Sequence, residues 1–188
     1  MKQKLTTKKI VLVALMAALT CIGSYLRVVV PISIGGNSAF HLGNIFCALS
    51  GILLGPWLGS LSAGLGSLLY DVLFYPDYIS ECWITFLTKG AYGLVAGMIA
   101  FSGKKEAGYL KAALATLTGA LTYAALYLAK SYFYSGLLVG GLTSAAAWLS
   151  VIGKLPATIF NAAVAIIFAP ILAAAIKTAL KRNHLSLE

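Results

Sequence analysis

Four charged side chains stand inside stretches too apolar to hold them cheaply: Asp71, Lys89, Lys130 and Lys154. A charge at the centre of a membrane segment costs about 2.5–3.5 kcal/mol on insertion scales, which makes each a functional candidate by default. Their neighbours at helical spacing extend the chemistry. Glu81, Thr85 and Lys89 fall at i, i+4 and i+8, with Tyr92 at the next turn. Tyr123, Tyr127, Lys130 and Tyr134 make an aromatic and cationic face, while Lys154 and Asn161 lie seven apart and share another. His41, Asn44, Tyr70 and Asp71 mark the two ends of one apolar stretch. With Asn37, Tyr78 and Trp148 they describe a polar chamber walled by aromatic rings. Such a chamber suits a small organic ligand, whose flat groups stack on tyrosine while a few polar groups fix its orientation.

Ordinary membrane roles compete for some of these positions. Tyr75, Tyr78, Tyr132 and Tyr134 are placed equally well for an interfacial belt. Lys130 can snorkel outward, and Asp71 can pair with Lys89 or Lys154 as readily as with a ligand. Lys89 is seven residues in from Cys82, roughly 10 Å at helical rise, which strains snorkelling. Lys154 is similarly deep if its helix begins near Ala147. His41 has no partner histidine, so it caps the adjoining loop or meets substrate rather than a metal.

The chain of 188 residues that must position these groups is 60% hydrophobic and only 10% charged, so the bilayer is its solvent. Its net charge of +9 sits at segment ends instead of forming a stripe with interleaved aromatics, which excludes nucleic acid as partner. Cys21, Cys47 and Cys82 lack metal-ligand spacing. There is no G-x-x-x-x-G-K-[ST] phosphate loop, no Gly-x-Ser-x-Gly elbow, and no second histidine besides His184. The expectation is therefore no catalytic residue, no metal and no cofactor. No pair of inverted repeats is visible either, which weakens a secondary-carrier reading.

Hydropathy predicts six helices in one domain over 1–188: about 10–26, 41–54, 57–74, 82–101, 109–132, and part of 143–180. The second and third form a hairpin turning at Gly55–Pro56, with Gly55, Gly59, Ala63 and Ser67 as a smooth stripe for close packing. The stretch 28–40 reads as a loop longer than a connection requires, and 135–141 as a glycine-rich loop. The span 143–180 is too long for one untilted crossing, so its start is assigned to loop or surface. Lys2, Lys4, Lys8 and Lys9, then Lys104, Lys105 and Lys111, then Lys177, Lys181 and Arg182 fall on one side if the count is six. The positive-inside rule makes that side cytoplasmic and puts both termini there.

The hairpin segment FHLGNIFCALSGILLGPWLGSLSAGLGSLLYD and the Ala-x-x-x-Ala pattern at Ala14 and Ala18 resemble the substrate-binding S components of energy-coupling factor (ECF) transporters, the vitamin-uptake family of prokaryotes. The resemblance covers nearly the whole chain. It implies an all-α, multi-pass integral membrane protein of the cell membrane that captures a vitamin from outside. It also implies partners: a transmembrane coupling subunit, docked at Ala14 and Ala18, and two ATPase subunits that supply the energy while the S component topples in the bilayer. No clear match to riboflavin, thiamine or biotin patterns is visible. The run FHLGN…YD…ITFLTKG looks closest to a cobalamin-type subgroup, with folate, pantothenate, a pyridoxine-like compound, riboflavin and a queuosine precursor as other ligands. A stand-alone secondary carrier or membrane enzyme is the competing class.

Overall fold

The computed structural model describes residues 6–31, 37–103 and 107–183. Lys2, Lys4, Lys104 and Lys105, used above for orientation, lie outside the described residues, as does the stretch 32–36. Among the described residues, five helices are long and apolar enough to cross a membrane. They are α1 (Thr7–Tyr25), α2 (Gly43–Phe74), α3 (Cys82–Ala100), α4 (Tyr109–Ala129) and α5 (Ser144–Arg182). Thr6 and Thr143 cap α1 and α5, each hydroxyl accepting a hydrogen bond from the amide three residues on.

The packing is that of a protein dissolved in lipid. The buried core is mostly alanine, with few large side chains such as Leu49, Ile52 and Tyr92, while Leu15, Trp57, Leu110, Leu121 and Ile159 face outward. Lipid is as apolar as leucine, so helices associate through close van der Waals approach between small residues.

α2 is not straight. Gly55 breaks its helical backbone at φ 81° and ψ −178°, a conformation open essentially to glycine alone, and Pro56 starts the next turn. The chain then doubles back. Cys47 Sγ lies 3.9 Å from Ser67 Oγ, although twenty residues of straight helix would separate them by about 30 Å. A Cβ added at Gly59 would sit 2.5 Å from the Gly51 Cα, and one added at Gly93 of α3 would sit 2.6 Å from the Gly59 carbonyl oxygen. α1 closes the other side, where Ser62 Oγ donates to the Val13 carbonyl at 3.0 Å. The expected hairpin and its small-residue stripe are thus present as two arms of α2.

Three expectations need correction. The stretch after α1 is an antiparallel ribbon, with β1 (Arg27–Pro31) pairing β2 (Asn37–His41) from Arg27 opposite His41 to Pro31 opposite Asn37. Its valine run and following Gly-Gly support strand pairing better than an open loop. α4 runs on into wider, π-type turns over Lys130–Val139, so most of the supposed glycine-rich loop is helical. α5 is one continuous helix of 39 residues, about 58 Å at helical rise, and Thr143 caps it where loop was expected. Pro156 and Pro170 are accommodated inside it.

The turn at Gly55 gives a test of backbone strain free of packing. A Cβ there would meet nothing closer than Phe101 at 3.6 Å, ordinary contact. Gly55→Ala should therefore cost about 1–3 kcal/mol through φ alone, lowering the apparent melting temperature in detergent. Gly108→Ala, in open space at ordinary φ, should leave it unchanged.

Candidate functional site

The ribbon, the second arm of α2, the Pro76–Glu81 3-10 turn, α3, α4 and α5 enclose one cavity, with about 930 Å³ of empty space including its open mouth.

Lys89 is buried in its wall at 5% exposure. Its ammonium donates to the Asn44 Oδ1 and lies 4.0 Å from the Tyr123 ring centroid. One amide oxygen and one aromatic face thus replace part of its water. Tyr123 in turn stands between Tyr92 and Tyr127, at 6.0 and 5.6 Å with rings tilted only 19° from parallel. A second aromatic column comes from the end of α2: Tyr70, Tyr75 and Tyr78 stack at 6.5 and 4.8 Å. The Arg27 guanidinium covers it, 3.9 Å from the Tyr75 centroid and 5.2 Å from that of Tyr70.

The wider turns after α4 bring polar groups to the rim. Lys130 pairs with Glu81 and lies 4.9 Å from the Tyr78 ring centroid, while Ser135 Oγ donates to the other Glu81 oxygen at 3.3 Å. Asn161 of α5 holds the ribbon over the cavity. Its Nδ2 donates to the Ala39 carbonyl at 2.8 Å and its Oδ1 accepts from the His41 amide at 2.9 Å. The side-chain amide does for β2 what a third strand would do. His41 Nδ1 accepts from the Gly43 amide at 3.1 Å, which puts the imidazole proton on Nε2.

Ten of the residues predicted from sequence line this cavity: Asn37, His41, Tyr70, Asp71, Tyr78, Thr85, Lys89, Tyr127, Lys130 and Asn161. Asn44, Glu81, Tyr92 and Lys154 stand one layer back. Asn44 holds Lys89, Glu81 holds Lys130, and Tyr92 is wholly buried behind Tyr123. Lys154 donates to Ser131 Oγ at 3.3 Å. Trp148 is not part of the cavity. It is 56% exposed and packs against Tyr132 at 5.1 Å. Six residues before Lys154, it points about 240° around the helix from it. Ala14 and Ala18 lie exposed on the outer face of α1. Tyr123, expected on the chamber's aromatic face, also lines it, whereas sequence reasoning missed Arg27, Tyr75, Thr88 and Thr158. Arg27 begins the ribbon, and no helical spacing links it to the other site residues.

An aromatic, polar-dotted cavity among membrane-length helices defines a membrane protein that binds a small molecule. The chain belongs to the family of ECF-type riboflavin transporter S components, whose family model matches residues 4–178. It is also 29% identical over 119 residues to an uncharacterized protein in the gap 3' region of Pyrococcus woesei, covering 63% of this chain and 74% of that protein. S components are non-catalytic, multi-pass subunits of cell-membrane transporters, here paired with an ECF module and a vitamin-type substrate.

His41 lies outside the spanning helices and carries a pH signature. Its enclosure, then the charges of Lys89 and Arg27, hold the imidazole well below its ordinary value of 6.5. As pH falls below 6.5 the unfolded chain takes up a proton that the folded chain refuses, so stability is lost on acidification and regained as pH rises. The melting temperature in detergent should drop between about pH 7 and pH 5. His41→Asn, whose amide oxygen still accepts from Gly43, should drop less, and identical drops would clear His41 of the effect.

Proposed function

We propose that this chain is the subunit that captures riboflavin, or a close flavin, from outside the cell and presents it to an ECF transport module. The family match over residues 4–178 carries this reading. The two tyrosine columns support it, because a flat tricyclic ring stacks on them. The family model names riboflavin and not cobalamin, the ligand that the FHLGN…ITFLTKG run pointed to. The two arms of α2 serve as separate crossings, which makes six and returns both termini to the cytoplasmic side. A coupling subunit docks on the exposed α1 face at Ala14 and Ala18, and two ATPase subunits drive the cycle in which the S component topples.

Both ligands are coloured, so purification distinguishes them. The protein taken from cells in rich medium should carry yellow, fluorescent flavin, and a red corrinoid in its place would reject the proposal. Titrated with riboflavin, Lys89→Ala should lose about 10-fold or more in affinity, as expected for losing a charged hydrogen-bond donor. Trp148→Ala should bind as the wild type does.

Energy coupling is tested in vesicles carrying the ECF module. Riboflavin uptake should stop when ATP is depleted. Ala14→Trp and Ala18→Trp should keep flavin binding and lose uptake. Uptake that survives ATP depletion and collapses with the proton gradient would make the chain a secondary carrier.

A further inference from the structure

Asp71 has an oxygen to spare. Its Oδ2 is buried with no partner, on a residue 5% exposed. A buried acceptor left empty carries its full desolvation penalty, and native structures keep few of them without a reason. Among the described residues the Tyr92 hydroxyl shares this condition, but it lies behind the cavity wall. Asp71 lies in the wall itself and is the one carboxylate among the lining residues.

Several of the site's other polar side chains are already occupied. Glu81 gives its two oxygens to Lys130 and Ser135. Both ends of the Asn161 amide hold the ribbon. Lys89 gives one hydrogen bond to Asn44 and has two N–H groups left. Lys89 and Asp71 both line the cavity, Lys89 with its ammonium over Tyr123 and Asp71 next in the chain after Tyr70. A ligand ring in the cavity therefore meets one donor with N–H groups to spare and one free acceptor in the same lining.

We infer that Asp71 and Lys89 read an imide-like edge of the ligand, with Asp71 Oδ2 accepting from a ring N–H and Lys89 Nζ donating to the neighbouring carbonyl oxygen. This rests on the flavin reading, because the dione ring of a flavin carries N3–H between two carbonyls. Asp71 is then the specificity-determining residue. It rewards ligands with that N–H and rejects rings of the same shape that lack it, since their binding would bury the carboxylate oxygen for good.

The test compares riboflavin with 3-methylriboflavin, which lacks the N–H, by quenching of flavin fluorescence on the full chain in detergent. Methylation should weaken binding to the wild type by about 10- to 100-fold, the range for a hydrogen bond to a charged group. Asp71→Ala should lose a similar factor for riboflavin and bind the two flavins within about twofold of each other. Asp71→Asn, whose amide oxygen still accepts, should fall between. Equal wild-type affinity for both flavins would overturn the assignment while leaving the flavin reading intact, and that measurement needs no variant to fold. A wild-type protein that binds neither flavin would overturn the flavin reading and the Asp71 assignment with it.

Discussion

The close approach of Gly51, Gly59 and Gly93 is the constraint on which the rest of the structure depends. Three backbones meet where any side chain would collide with a neighbouring main chain. In lipid no hydrophobic force drives helices together, so such contact must come from complementary small surfaces. The contact fixes the register of the two α2 arms. With Cys47 beside Ser67, one turn further along puts Asn44 level with Tyr70 and Asp71. It also fixes α3, whose Lys89 stands one turn from Gly93 and reaches Asn44. Glycines near the turn thus decide which polar groups meet at the far end of the hairpin.

Once placed, the polar groups solve one another's burial. Lys89 would be prohibitive alone in a spanning helix. Asn44 and the Tyr123 ring share its charge, and Tyr123 is steadied by Tyr92 and Tyr127. Lys130 is handled differently. π-type turns widen the helix there and deliver Lys130 and Ser135 to the same carboxylate of Glu81. Such widened turns occur often at functional sites because they re-aim side chains that a regular helix would direct elsewhere.

Much of this was legible in the chain because helical periodicity is a strong signal. Glu81, Thr85 and Lys89, or Tyr123 and Tyr127, announce a shared face by spacing alone, and Gly55–Pro56 announces the turn. The failures have physical causes. Val28–Val30 followed by Gly35–Gly36 carries a hairpin signal, but beside an apolar helix it reads as loop. π-type turns have no period of their own, so Lys130–Val139 looked like the end of a helix. The length of 143–180 suggested that its start was loop or surface, yet α5 begins at Ser144 under the Thr143 cap and continues through Pro156. The vitamin was the least legible feature. The Gly-Pro hairpin serves packing and the alanine pair lies on the outer face of α1, and both are indifferent to what the cavity holds.

That indifference points to a division of labour within the fold. The contacts that build the bundle, among Gly51, Gly59, Gly93, Ala63 and Ala96, involve no side chain that lines the cavity. The cavity's polar groups come instead from the ribbon, the end of α2, and single positions within α3 and α5 such as Lys89 and Asn161. The ribbon is tied to α5 through the two bonds of Asn161 and the edge contact of Phe40 with Phe160 at 4.9 Å, and to α1 through the Leu42 amide. Each such bond contributes about 0.5–1.5 kcal/mol net, well below what separating the packed helices would require. Ligand selection and helix packing therefore answer to separate residues. Under the proposed function, such a scaffold can change what it binds at Asp71 or Lys89 without losing the glycine and alanine surfaces that hold it together.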